Sequence, residues 1–307
     1  MKRILCLFTL LMGCSLLAPA QTSQEEYFRR YTNLVERVGA AGVGVETLLD
    51  KWEADYPDDD QQLLARFAFC FTRCQTSQVI QLSQDRYLGN APLVPLTDSL
   101  GNKRNFFEDT LYDDELFALA NSAIDRAIDL KGWKLNYRFL KLNAMLAYEK
   151  ESPDMTLQGL KALVDEHYTR HPAWTYENLE KVGDEEFNAF MQDYCAALFR
   201  IGSDASAEAF KSLSEHLLKY SKNNPLFLDN IGSYYLVKKD YKKAAKQFDA
   251  VLKKHPDDLT AIRNGLILAR ATKDAKLEKK YLTLMAKYGE KETDRLGAQA
   301  RLDAMNR

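Results

Sequence analysis

Residues 225–258 read PLFLDNIGSYYLVKKDYKKAAKQFDAVLKKHPDD, two amphipathic segments compressed into 34 residues. Leu228, Ile231 and Tyr235 recur at i, i+3 and i+7, which lines them up on one face of a first helix. Gly232 lies beside them, where a side chain would hold a second helix away. Lys239-Asp240-Tyr241 supplies the turn. Ala244, Phe248 and Val251 then recur at i, i+4 and i+7 on a second helix, and Pro256 ends it. The spacing predicts a helical hairpin with small residues where two backbones meet.

This pattern resembles the tetratricopeptide repeat (TPR), whose unit is about 34 residues long. Counted from Pro225, the large-large-small-aromatic first helix of that family falls on Leu228, Ile231, Gly232 and Tyr235. Its small-aromatic-small second helix falls on Ala244, Phe248 and Val251, with valine in place of the usual alanine. The resemblance implies an all-α, α-α solenoid of antiparallel helix pairs that binds peptides or proteins on the concave face formed by its first helices. Positions on that face are Asp229, Asn230, Ser233 and Val237, followed in the next repeat by Arg263, Asn264 and Arg270. Members that clamp a peptide's terminal carboxylate use Lys, Asn and Arg there. In the best repeat only Asn230 fits, so tight carboxylate clamping is not expected.

Further along, residues 259–288 keep the phase through Ile262, Leu266, Ala269, Leu282 and Met285. Residues 116–146 and 204–221 carry weaker versions. Glycine and proline are few and grouped at breaks, and the rest favours helix. Helices are predicted at 24–38, 42–55, 58–82, 114–130, 136–150, 155–168, 184–200, 204–221, 226–238, 241–254, 258–271, 274–288 and 291–305, the last a cap. The expected organisation is a leader at 1–20, a TPR-like array at 21–202 and C-terminal repeats at 203–307. Residues 83–112 interrupt the pattern, because Pro92 and Pro95 exclude a helix and Asp98-Ser99-Leu100-Gly101-Asn102 is turn chemistry. A small hairpin or extended arm is expected there. Its Tyr87, Leu93, Val94, Phe106 and Phe107 are expected to pack on the N-terminal helices.

Lys2-Arg3, the apolar run Ile4–Ala18 and the Ala18-Pro19-Ala20 site have the three parts of a secretory signal peptide, with cleavage after Ala20. Leu11-Met12-Gly13-Cys14 offers a second reading, a lipobox that leaves Cys14 lipidated. Both readings export the chain, to the periplasm or beyond, or to the outer membrane as a lipoprotein. No later apolar run reaches the ~18 residues a membrane helix requires. Charge is uneven: residues 211–307 hold 21 basic and 12 acidic side chains, whereas 21–210 hold 19 and 32. Solvated helix faces account for the lysines. A nucleic-acid partner is not expected, since no recognition motif accompanies them.

No catalytic, cofactor or metal pattern stands out. His167 and His171 are i, i+4, but Tyr168 occupies the place where a zincin needs glutamate, and Pro172 follows at once. Cys70 and Cys74 share a helical face and, with Cys195, read as small core hydrophobes. The chain is therefore expected to be an exported, non-enzymatic scaffold for a protein or peptide. The alternative is an envelope-glycan binder, for which Trp174 and Tyr176 form the nearest aromatic pair.

Overall fold

The computed structural model describes residues 21–306, so the expected leader, its cleavage site at Ala20 and the lipidation site Cys14 lie outside the described residues. The described chain holds thirteen helices and one hairpin. The first part comprises α1 (Gln24–Val38), α2 (Val45–Asp55), α3 (Asp60–Arg73), β1 (Gln75–Leu82), β2 (Asn105–Tyr112) and α4 (Asp114–Leu130). The centre comprises α5 (Leu135–Glu149), α6 (Asp154–Arg170), α7 (Asp184–Ile201) and α8 (Asp204–Tyr220). The last part comprises α9 (Pro225–Val237), α10 (Tyr241–Lys254), α11 (Leu259–Thr272), α12 (Ala275–Tyr288) and α13 (Glu292–Met305).

Short polar side chains start most of these helices. The side chains of Ser23, Asp59, Asp113, Ser203, Asn224, Asp240, Asp258 and Asp274 each accept a hydrogen bond from a first-turn backbone N–H. That satisfies donors the helix itself leaves orphaned. The order of pairing is that of a solenoid: helices pack chiefly on their sequence neighbours, except that α6 packs on α5 and α8 rather than on α7, and α3 packs on α4 although the hairpin is inserted between them. The odd helices are linked to one another by Tyr137–Asp60, Gln192–Asn230 and Ser233–Asn264 hydrogen bonds. The even helices are linked by Lys161–Ser212, His216–Asp165 and Lys280–Asp249. Two layers of helix follow, one odd and one even, and the chain is an all-α, TPR-like array.

The core is segmented along the array. One apolar cluster joins α1–α5, a second runs from α5 to α9, and a third from α9 to α13. The turn at 202–203 lies between α7 and α8, whose buried side chains share the second cluster. The repeat-defining residues behave as spacing alone requires. Ala244, Phe248 and Val251 are fully buried, Ile231 and Gly232 are buried, and Leu228 and Tyr235 are half-buried, while Pro256 stands exposed just past α10. A Cβ on Gly232 would sit 2.4 Å from Cε1 of Phe248. The same lock recurs between Gly265 and Tyr281, where a Cβ would meet the ring at 2.3 Å.

One element departs from the sequence reading. Helix α3 ends at Arg73, and residues 75–82, expected to continue it, form a strand. This strand pairs antiparallel with β2 from Gln75↔Tyr112 to Leu82↔Asn105. Thr76, Val79 and Ile80 are β-branched and suit a pleated surface. The insertion is thus a hairpin, as expected, but it starts at residue 75 rather than 83. Its base rests on the N-terminal helices through Tyr112, whose ring packs on Phe71 of α3 and Phe117 of α4, but its outer part is held elsewhere. Asp109 on β2 accepts a 2.6 Å hydrogen bond from Lys150 at the end of α5. Gly89, at φ +80°, comes so close to the end of α7 that a Cβ would be 2.4 Å from the Arg200 carbonyl oxygen. Tyr87 and Phe107 are buried edge to face, whereas Leu93 and Val94 are exposed.

Candidate functional site

A groove opens on the odd-helix layer between α5 and α7. A regular array would close it. Here residues 171–183 separate α6 from α7 and hold them out of regular register. This segment is fixed by Thr175, whose N–H bonds the Trp133 carbonyl and whose carbonyl accepts from Leu135 N–H, and by Val182 N–H bonding to Trp174. Trp174 is buried beneath the Arg138 guanidinium, 5.0 Å from its ring centre, and plugs the space between the helices. Tyr176 is thereby set at one end of the groove.

The groove wall is aromatic. Phe139 from α5 meets Phe190 and Tyr194 from α7 at ring-centroid distances of 5.4 and 5.6 Å. Tyr176 stands 4.7 Å from Phe190 and 5.7 Å from Phe139. Leu146 and Ala197 continue the apolar floor, and Asn143 and Asp193 supply polar rim groups. Beyond them Leu88 of the hairpin, with Lys150 and Arg200, bounds the far end. The depression at the aromatic end has a volume of about 200 Å³ and the adjoining one about 270 Å³, and both are open to solvent. Burial pushes the Tyr194 and Tyr176 phenols above their ordinary range, so both remain neutral hydrogen-bond donors near pH 7.

The sequence-nominated face lies elsewhere, and its members divide. Asp229 is 3% exposed, with Oδ1 lacking a hydrogen-bond partner among the described residues. Its carboxyl is pushed up to about 8, first by burial and then by the Asp258 carboxyl. Asn230 is buried in a reciprocal amide pair with Gln192, at 2.8 and 3.0 Å, and also donates to Ser214. Asn264 donates to Ser233 at 3.1 Å. Asn230, Ser233 and Asn264 tie odd helices together, and Asp229 lies buried beside them. Val237 is exposed at 57%. Arg263 and Arg270 do come together, with Arg301, along a groove between α11 and α13 floored by Leu266, Leu282 and Met285.

The remaining sequence candidates are structural. His167 is buried flat on Phe187, ring centres 3.8 Å apart, and shares a hydrogen bond with Asp184. Burial draws its pKa down despite that carboxylate. His171 adopts φ 47° as the C-cap of α6, so the two imidazoles serve different local tasks. Cys70, Cys74 and Cys195 are free and buried. Burial raises all three thiols, Cys74 to about 11 and Cys195 to about 12, which keeps them protonated and unreactive. Trp174 is turned inward, so Trp174 and Tyr176 form no exposed stacking pair for a sugar. Among the described residues no helix is long and apolar enough to cross a membrane.

No family model matches the chain, and no curated protein does. Among solved structures the chain is similar to Pseudomonas aeruginosa pilF, the subject of a functional characterization. Identity is 10%, over 90% of this chain and 96% of that one, with a TM-score of 0.35. A likeness that distant carries no argument here. The helix-pair architecture stands on the packing described above.

Proposed function

We propose that this chain is an exported, non-enzymatic scaffold that holds an extended segment of a partner protein in the α5/α7 groove. The supporting observation is the aromatic wall of Phe139, Tyr176, Phe190 and Tyr194 with Asn143 and Asp193 at its rim. Apolar, ring-lined depressions with a few polar groups suit peptide side chains, and aromatic anchors carry a large share of binding energy at such surfaces. The polar rim orients the peptide backbone while the rings take its apolar side chains. Export rests on the leader-like start of the sequence and places the partner in the envelope or outside the cell.

The test is a displayed peptide library selected on the mature chain, followed by titration of enriched peptides against variants. Phe190→Ala and Tyr176→Ala are expected to weaken binding by at least about tenfold each, a loss of about 1.4 kcal/mol. Arg263→Ala with Arg270→Ala is expected to leave it unchanged. Loss with the arginine pair and none with the groove pair would move the site to α11/α13 and sink the reading. Intact-mass measurement of the chain recovered from its native envelope checks export: the expected start is Gln21, and an unprocessed Met1 would refute it.

A further inference from the structure

The hairpin sheet has two edges that the sequence treats differently. On one side residues 93–97 add a short third run to β2, through Val94↔Phe106 and Thr97↔Lys103. Pro92 and Pro95 remove backbone N–H groups there, a recognised device for stopping further strand addition. The other edge is β1 itself. Gln75–Leu82 reads QTSQVIQL, eight residues without a proline, a glycine or a charge. Residues 74–84 carry no charge at all in a chain whose charged fraction is 28%. Natural edge strands are ordinarily blunted by a lysine, a proline, a bulge or a covering element. None of these guards β1. Among the described residues its backbone bonds only β2, so alternate N–H and C=O groups face outward unpaired by protein. Val79, on the outward sheet face with Ser77 and Gln81, is 63% exposed.

We propose that β1 is a homodimerisation edge, on which a second copy of this chain adds its own β1 antiparallel to give a continuous β2-β1-β1-β2 sheet. The charge pattern selects the occupant. Laid against itself, an uncharged strand meets no like charge. Pairing by a two-fold axis is also the commonest closed arrangement of identical chains. Side-chain alternation then fixes the register. An axis perpendicular to the sheet keeps outward residues opposite outward residues, so a residue must sit on the axis. Val79 on the axis sets valine against valine, Ser77 against Gln81, Gln78 against Ile80 and Thr76 against Leu82. The neighbouring solution, with Gln78 on the axis, faces Val79 with Ser77 and forfeits the β-branched pair.

The experiment is sedimentation and light scattering of the full mature chain over a wide concentration range. Wild type is expected to show twice the monomer mass. Val79→Lys, which puts two ammonium groups face to face, is expected to raise the dimer Kd at least about tenfold, with unchanged circular dichroism. Mixing Val79→Lys with Val79→Glu is expected to restore a dimer containing one of each. Because the native thiols are buried, Val79→Cys should be joined to its copy by a short bismaleimide, and Leu100→Cys at the exposed tip should not. A wild type that stays monomeric at every concentration overturns the proposal, and leaves strand addition by another protein as the use of the edge. A Val79→Lys chain that remains fully dimeric overturns it equally.

Discussion

Gly232→Ala reads the packing of the best repeat through the sign of one free energy. In an open helix the change is favourable by about 1 kcal/mol, because alanine loses less backbone entropy than glycine. Here the added Cβ would lie 2.4, 2.8 and 2.9 Å from three ring atoms of Phe248, whose side chain is fully buried. Ordinary carbon contacts are about 3.5–4.0 Å. The ring or the α9 backbone must therefore move by about 1 Å, and overpacking of this kind costs about 1–3 kcal/mol. The two terms leave a net loss of about 0–2 kcal/mol. Phe248→Leu removes the offending ring and leaves a cavity of its own, a smaller loss than the about 3–5 kcal/mol of Phe248→Ala. In the double variant the new methyl group occupies that space, so the pair should couple favourably by about 0.5–3 kcal/mol. Urea unfolding of the four chains gives the cycle. Hydrogen exchange should place the loss in α9–α12 and leave α1–α4 protected, since cores in an array of this kind act on their neighbours. A stabilising Gly232→Ala, with effects additive to within about 0.3–0.5 kcal/mol, would show that α9 and α10 are not in contact.

Two titrations follow from buried carboxyls. Burial works to raise the Asp109 carboxyl, but hydrogen bonds from Lys150, Gln78 and Tyr87 together outweigh it and hold it below its ordinary value. Its contribution is therefore complete above the unfolded value of about 3.9 and lost as pH falls through the lower folded one. Exchange in residues 75–112 should rise in acid, and Asp109→Asn should raise it at neutral pH and flatten the dependence; identical profiles would refute the anchor. Asp229 has the opposite sign. Its folded value of about 8 lies above the unfolded one. Stability is thus fully present below about 3.9 and is lost as pH rises through the folded value. Asp229→Asn should keep α9–α11 stable between about pH 4 and pH 8, where wild type weakens, and an equal loss across that window in both would refute the assignment.

The C-terminal array was legible because its information is local. Leu228, Ile231 and Gly232 share one helix, and Phe248 follows Gly232 across a short turn. The repeat of that lock, Gly265 with Tyr281, carried the same sixteen-residue spacing and could have been read from it. Strand β1 was not legible. Its partners lie 23 to 37 residues away, and because most of its side chains are polar, on both faces, no apolar alternation marks it in the sequence. The short apolar group Val79-Ile80, following a strong helical run, reads as one more turn of helix. The groove was hidden for the same reason. Phe139 and Phe190 are ordinary core-spaced aromatics on separate helices, and Tyr176 sits in a segment with no periodicity. Repeat positions counted from the family pattern point to α9 and α11. The irregular linker 171–183 holds α6 and α7 out of register and places the opening at α5 and α7.

The hairpin also has a mechanical meaning. A helical array is a spring, since small rotations at each interface add along its length. An array with only nearest-neighbour contacts can stretch and twist anywhere. This hairpin leaves the α3–α4 pair, is fastened at Asp109–Lys150 to the end of α5, and lies close against the end of α7 where Gly89 meets Arg200. It is a brace laid along one flank, spanning two successive units. Bending that would part the ends of α5 and α7 must first break the brace, so the groove keeps a fixed width while the unbraced turns from α9 to α13 take up the compliance. Under tension the chain should yield first at its C-terminal end, with the grip between α5 and α7 still holding.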